Sequence, residues 1–167
     1  MAHPGRPIKS DPKVDQLRSD IQQGRIEVVK KTLTEFGIDA IDGDGRTALI
    51  NTIICKNRDL LDYLINNGAN VNHQDRIGYS ALHFCAQERL PAIAEFLLTK
   101  NANPNLLDLH GNTPLWTAVM NSKNELGIIQ ALLRYGADPN IVNKHGKSAG
   151  QMFATIYSKD ITEVLAV

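Results

Sequence analysis

The stretch that decides the fold is DGDGRTALINTI, Asp42 to Ile53, because the chain writes it again at a fixed distance. DRIGYSALHFCA begins at Asp75 and DLHGNTPLWTAV at Asp108. Asp42, Asp75 and Asp108 therefore stand 33 residues apart, as do Gly45, Gly78 and Gly111, and Leu49, Leu82 and Leu115. A looser copy, NKHGKSAGQMFA, follows from Asn143 after 35 residues. The second half of each unit repeats in step: LLDYLINNGANVN from Leu60, IAEFLLTKNANPN from Ile93 and IIQALLRYGADPN from Ile128. A partial unit, GRIEVVKKTLTEFG from Gly24, precedes the first full one. Such a period marks a stack of supersecondary units, none of which buries its apolar face alone.

Local chemistry agrees with the period. Thr47, Ser80, Thr113 and Ser148 each follow a turn glycine and offer a hydroxyl that N-caps a helix. The first helix is rich in small residues (Ala81, Cys85, Ala86; Ala118), which lets neighbouring units approach closely. The second carries aliphatics at helical spacing, such as Leu60, Leu61, Leu64 and Ile65, to face the first helix and the next unit. It stops at Gly68, Asn101 or Gly136, residues that accept a left-handed C-cap. From there to Gly78, Gly111 and Gly146 the chain is polar and turn-rich.

A 33-residue period with a T-P-L-H-x-A-like start resembles the ankyrin repeat, over about residues 14–167. The resemblance implies an all-α solenoid of about five stacked helix-turn-helix units with projecting hairpin loops. Residues 1–12, with three prolines, are expected to be a flexible tail, and 13–167 a single domain with atypical caps at about 13–41 and 143–167. Leu17 and Ile21 should line the inside of the first cap, where Asp20 replaces a small apolar residue. Ile161, Val164 and Leu165 should line the last, on a terminal helix within SKDITEVLAV. Two extra residues in NSKNELG, after Met120, predict a solvated loop between paired helices.

Composition narrows the class of function. Hydrophobic residues at 43% and charged residues at 22% suit a globular chain rather than a disordered one. Eighteen Lys and Arg balance 18 Asp and Glu, so the basic footprint of a nucleic-acid binder is missing from the total. Apolar runs are only a few residues long, too short to span a membrane, and MAHPGRPIKSDP has no apolar segment of a secretory signal. Cys55 and Cys85 stand in no ligand spacing and read as reduced thiols, with Cys85 in the core. These features suggest a cytoplasmic monomer with no contact to nucleic acid or membrane.

Catalytic motifs are missing too: the sequence contains no GxSxG, HExxH, P-loop or GxGxxG. The resemblance gives His83 a structural role, bonding backbone and hydroxyl groups at the repeat turn. His110 and His145 occupy equivalent hairpin tips, and stacked helices about 8–10 Å apart hold them too far apart to share a metal. Asp42-Gly43-Asp44-Gly45 is similar to the start of a calcium loop. In that register the first ligand position falls on Ala40 and the bidentate position on Asn51, so the aspartates read as turn formers. Asn72, Asn105 and Asn140 recur in phase, and the resemblance implies that they bond the hairpin backbone. No catalytic residue, metal or cofactor is expected.

The resemblance implies a partner protein held on a concave face of hairpin tips and first helices. By repeat position that surface comprises Arg46, Arg76, Ile77, Tyr79, Gln87, Glu88, Leu109, His110, Asn112, Met120, Asn121, Lys144 and His145, near Asp44, Ile54, Cys55 and Lys147. Ile77, Tyr79, Leu109 and Met120 are apolar where polar residues are usual, and are expected to form its centre. The function so read is an adaptor or regulator that binds a partner protein. The alternative is a dedicated enzyme inhibitor, such as a bacterial immunity protein against a toxin.

Overall fold

The structure is a computed structural model that describes residues 9–166; residues 1–8 of the expected tail lie outside the described residues. The chain is organised as two compact units, one through Ile77 and one from Gly78.

The first unit opens with α1 (Pro12–Asp15) and α2 (Leu17–Gln22). Pro12 suits the start of α1 because its missing N–H has no partner to lose there. The Asp11 side chain accepts from the Lys13 N–H at 2.9 Å, so Asp11 and Pro12 belong to the helix start rather than to the tail. Leu17 and Ile21 are buried as expected. Asp20 is buried with them, and burial of a lone carboxylate is costly. Arg25, 2.6 Å away and half exposed, answers its charge. Behind α2 packs α3 (Ile26–Phe36), with Val29 and Leu33 inside. Asp15 accepts from the Gly43 N–H at 2.8 Å, tying the cap to the first hairpin.

Next come α4 (Ala48–Ile54) and α5 (Arg58–Asn66), packed on each other, with α4 also against α2. The Thr47 hydroxyl accepts from Ile50 N–H and the Asn57 carboxamide from Leu60 N–H, so each helix starts on a side-chain cap. Leu60, Leu61 and Leu64 are fully buried, each contributing about 1.5–3 kcal/mol of apolar transfer. Ile65, expected with them, is only half buried, because one further residue turns it about 100° from Leu64.

The second unit contains α6 (Ala81–Glu88), α7 (Pro91–Thr99), α8 (Pro114–Asn121), α9 (Gly127–Arg134), α10 (Ala149–Tyr157) and a 3-10 helix (Ile161–Ala166). The first helices α6, α8 and α10 pack in succession, and α7, α9 and the 3-10 helix pack in succession behind them. Ala81, Cys85, Ala86 and Ala118 are fully buried, which is what small residues at a close helix contact should be. Thr113 and Ser148 cap α8 and α10 through Trp116 N–H and Gln151 N–H. Gly136 and Asn101 take the left-handed conformation that ends the second helix, as does Gly68 in the first unit.

Two details depart from expectation. The C-terminal cap is a 3-10 helix in which Ile161 and Val164 are buried, while Leu165 is 43% exposed. With three residues per turn, Ile161 and Val164 share a side and Leu165 turns away. In the NSKNELG insert Lys123, Asn124 and Glu125 are exposed, but Ser122 is buried. Its hydroxyl donates to the Val119 carbonyl and lies 2.6 Å from the Tyr157 hydroxyl, so the loop is anchored at its root.

The hairpins approach more closely than side chains allow. A Cβ on Gly78 would stand 2.8 Å from Asp108 Cα, and one on Gly111 3.2 Å from Lys144 N. Gly136 has the same positive φ as Gly78, +84° against +81°, yet open space around it. Gly136→Ala should therefore cost about 1 kcal/mol, from the left-handed backbone alone. Gly78→Ala should cost about 3 kcal/mol or more, since a backbone clash is added. Urea denaturation of both variants measures the difference, and equal losses would refute the close approach. Truncation before Ser158 should also lower the unfolding midpoint, by uncovering α9 and removing the 2.8 Å Gln130–Val164 carbonyl bond.

Candidate functional site

Each hairpin loop is closed by a side chain buried at its base. Asp42 Oδ1 accepts from the N–H groups of Asp44 and Arg46, both at 2.9 Å, and its Oδ2 accepts from the Asn51 amide. Asp108 repeats the pattern with His110 N–H and Asn112 N–H at 2.8 Å, and Asn143 with His145 N–H and Lys147 N–H. Asp75 accepts from Ile77 N–H at 3.0 Å. All four are 6–8% exposed. The aspartates of the calcium-like stretch are thus turn formers, Asp42 from inside and Asp44 at the exposed tip.

Within each unit one hairpin lies on the next through its backbone. Arg76 N–H donates to the Asp44 carbonyl at 3.1 Å in the first unit, and Lys144 N–H to the His110 carbonyl at 2.9 Å in the second. His83, fully buried at the third position of α6, joins helix to hairpin. Its Nδ1 accepts from the Ser80 N–H at 3.1 Å and lies 2.9 Å from the Ser80 hydroxyl. That leaves Nε2 to donate to the Asn112 carbonyl at 3.1 Å. His73, which sequence reasoning passed over, lies 2.8 Å from the Gly45 carbonyl and carries out a similar bridging task in the first unit.

Against this framework the expected surface residues separate into two groups. Several are held internally. Arg46 lies 3.2 Å from Asp44 and 3.5 Å from Asp75, and Arg76 donates to the Gly43 carbonyl at 3.0 Å. Asn112 bonds both Asp108 and Asn143 through its carboxamide, and Asn121 donates to the Thr117 carbonyl. Tyr79 is half buried, stacked on His83 with ring centroids 5.0 Å apart and edge-on to Phe84. It belongs in part to the interior, not wholly to an exposed centre. Glu88 is half buried as well.

The remaining side chains project into solvent. Ile77 is 46% exposed in the first unit. In the second, Leu109 and Met120 are 40% and 50% exposed, and Gln87, His110, Lys144, His145 and Lys147 are exposed too. The sequence reading missed Leu107 and Val142, exposed by 47% and 56%. They share one repeat position with Ile41 and Gln74, immediately before the buried Asx, and that phase is the signal that could have found them.

One of the recurrent asparagines, Asn105, is placed differently from expectation. Asn105 reaches the following repeat's loop rather than its own hairpin, donating to the Gly136 carbonyl and accepting from Asp138 N–H at 2.8 Å. Asp39, in the same phase, accepts from Asn70 N–H at 2.9 Å in the first unit.

Reactive chemistry finds little support in these surroundings. Burial pushes the Cys85 thiol well up. Burial raises Cys55 too, against the opposing charge of Arg18, and its Sγ donates to the Arg18 carbonyl. Among the described residues no group of three His, Cys, Asp or Glu side chains is placed to hold a metal ion. A cavity of about 700 Å³ lies between α1, α2 and α3, lined by Lys13, Asp20, Arg25 and Glu35 among others. Four of its ionic groups form pairs, Lys13 with Glu35 at 2.8 Å and Arg25 with Asp20, and Lys31 lines it as well. Among the described residues no helix is long and apolar enough to cross a membrane.

Comparison with known proteins agrees with the repeat. Residues 19–108 match ankyrin repeats in three copies, and residues 110–144 match a single ankyrin repeat. An ankyrin repeat protein, L92, of Acanthamoeba polyphaga mimivirus is 44% identical over 81 residues, covering 48% of this chain and 19% of the relative. Human ankyrin repeat and SOCS box protein 6 is 38% identical over 90 residues, 53% of this chain and 21% of the relative. A palmitoyltransferase, ZDHHC13, of Danio rerio is 28% identical over 92% of this chain, which spans 25% of that protein. The chain thus spans a quarter or less of the length of these relatives.

The His83 bonds make a stability test. His83→Ala should lose about 1–3 kcal/mol, because Ser80 and the Asn112 carbonyl are left without a buried partner. An unchanged thermal melt would show that the ring is not embedded as described.

Proposed function

Because this chain belongs to the ankyrin-repeat family, a family of general protein-interaction repeats, we propose that it is a non-catalytic domain that binds a partner protein on its hairpin tips and first helices, as an adaptor or regulator. One observation carries the reading: Leu109 and Met120 stand 40% and 50% exposed on a hairpin and a first helix whose polar neighbours are already bonded to one another. Apolar side chains on a rigid exposed surface, ringed by polar groups, are what an interface centre requires. Ile77 offers the same feature in the first unit. In the second unit Tyr79 and Asn112 are partly built into the interior beside this surface, and Gln87, His110, Lys144 and His145 stand exposed in the same unit.

Affinity capture from the source cell, identified by mass spectrometry, should name a partner, and point variants then locate its site. Leu109→Ala and Met120→Ala should each weaken capture by about 2 kcal/mol, roughly thirtyfold, since hot-spot truncations cost that much. Both side chains are already half in solvent, so stability should change by only about 0.5 kcal/mol. Glu95→Lys, exposed on α7, serves as the control and should change neither. Loss of the partner with Glu95→Lys and not with the other two would place the site on the second helices and overturn the proposal.

A further inference from the structure

Two consecutive hairpins of the second unit, residues 108–113 and 143–148, carry an uneven set of charges. Their exposed ionisable side chains are His110, Lys144, His145 and Lys147, and every one is a base. The Lys144 N–H to His110 carbonyl bond of 2.9 Å brings the two tips together. Asp108 is the one carboxylate in the pair, and it is turned inward, 6% exposed and fully engaged by His110 N–H, Asn112 N–H and the Asn112 amide. Outside the hairpins, Asp138 accepts from Asn140 N–H at the loop base. Asp160 and Glu163 hold the C-terminal turn, through Thr162 and the Asp160 N–H. Leu109 and Val142 stand exposed beside the bases. A chain with zero net charge has therefore gathered bases and aliphatics along one edge and withdrawn the carboxylate.

We propose that this edge docks an acidic, aliphatic-rich segment of the partner protein, its carboxylates against Lys144, His145, Lys147 and His110 and its apolar side chains on Leu109 and Val142. The proposal rests on the interaction surface argued above and adds the partner's chemistry. Exposed lysines at a rim set the encounter rate and the sign of the partner they accept, while the apolar contacts hold it. A nucleic-acid strand would meet the same positive charge. It would also want aromatic faces to stack on, and neither hairpin contains an aromatic residue, apart from the two histidines.

The test is selection of a random-peptide display library on the full chain, followed by fluorescence anisotropy of the enriched peptides. Wild type, the Lys144→Glu/Lys147→Glu double variant and Leu109→Ala are compared, all first shown to melt alike. The enriched peptides should be net negative with several aliphatics. The double reversal should weaken them by about tenfold or more, as should a rise from about 50 to about 300 mM salt. Leu109→Ala should weaken them as well. Neutral or basic peptides, or affinity indifferent to the charge reversal, would overturn the acidic partner. If Leu109→Ala still removed such peptides, the interaction surface itself would stand. A library that enriches nothing, while capture of the natural partner still depends on Leu109, would also overturn it. So would a labelled oligothymidylate that binds as tightly as the best peptide and with the same charge sensitivity.

Discussion

A polar side chain buried at the foot of a loop must find donors, or it costs more than the loop can recover. Asp42, Asp108 and Asn143 meet that demand in one way: a single oxygen takes two N–H groups of the turn that follows it. This bond pattern closes the hairpin, and single bridges, Ile41 to Thr47 and Val142 to Ser148, flank it. The turn then needs a residue at positive φ just before it closes, which is where Gly45, Gly111 and Gly146 stand. The capping hydroxyl of the first helix comes two residues later. Hairpin, cap and helix start are therefore one device, and the helix direction is set by a side chain outside the helix.

The same device links repeats. Once the tip is closed, its outward carbonyls are available, and those of Asp44 and His110 accept from the next hairpin's backbone. His83 adds a side-chain strut to Asn112, and Asn105 a second contact at the loop after α9. Because these contacts run from one repeat to the next, part of each of these repeats' polar bonding is supplied by a neighbour. Residues that look like spare surface polarity, Asn112 above all, turn out to be part of that stacking.

This explains which features were legible in the sequence. Period, caps and left-handed stops are local choices of residue type, and Thr47, Ser148 and Gly68 could be read from position alone, while the role of His83 comes with the family resemblance. Burial of an end residue is not local. Leu165 reads as core on a 3.6-residue helix, and only the tighter 3-10 winding moves it outside. Tyr79 reads as exposed because it precedes the cap, yet the ring folds over His83, four residues on. Arg46 and Arg76 are indistinguishable from binding-site arginines until Asp44, Asp75 and the Gly43 carbonyl are seen beside them. Leu107 and Val142 are masked in the sequence because their repeat position, otherwise aliphatic, carries a glutamine at Gln74.

What distinguishes Leu109 is that its exposure is not slack. Asp108 N–H donates to the Asn112 carbonyl, and Gly111 N–H to the Asp108 carbonyl, at 2.9 Å each. With His110 and Asn112 also bonded to the Asp108 side chain, the backbone on both sides of Leu109 is pinned. The corresponding residues elsewhere are Gly43, Arg76 and Lys144, so the fold places no demand for an aliphatic there. Holding a leucine 40% in water forfeits about 1 kcal/mol of burial that a polar residue would not forfeit. A surface that is rigid before binding loses less entropy when it binds, and the forfeited burial is recovered at the same moment. An apolar side chain on a loop this constrained is what the proposed interface requires.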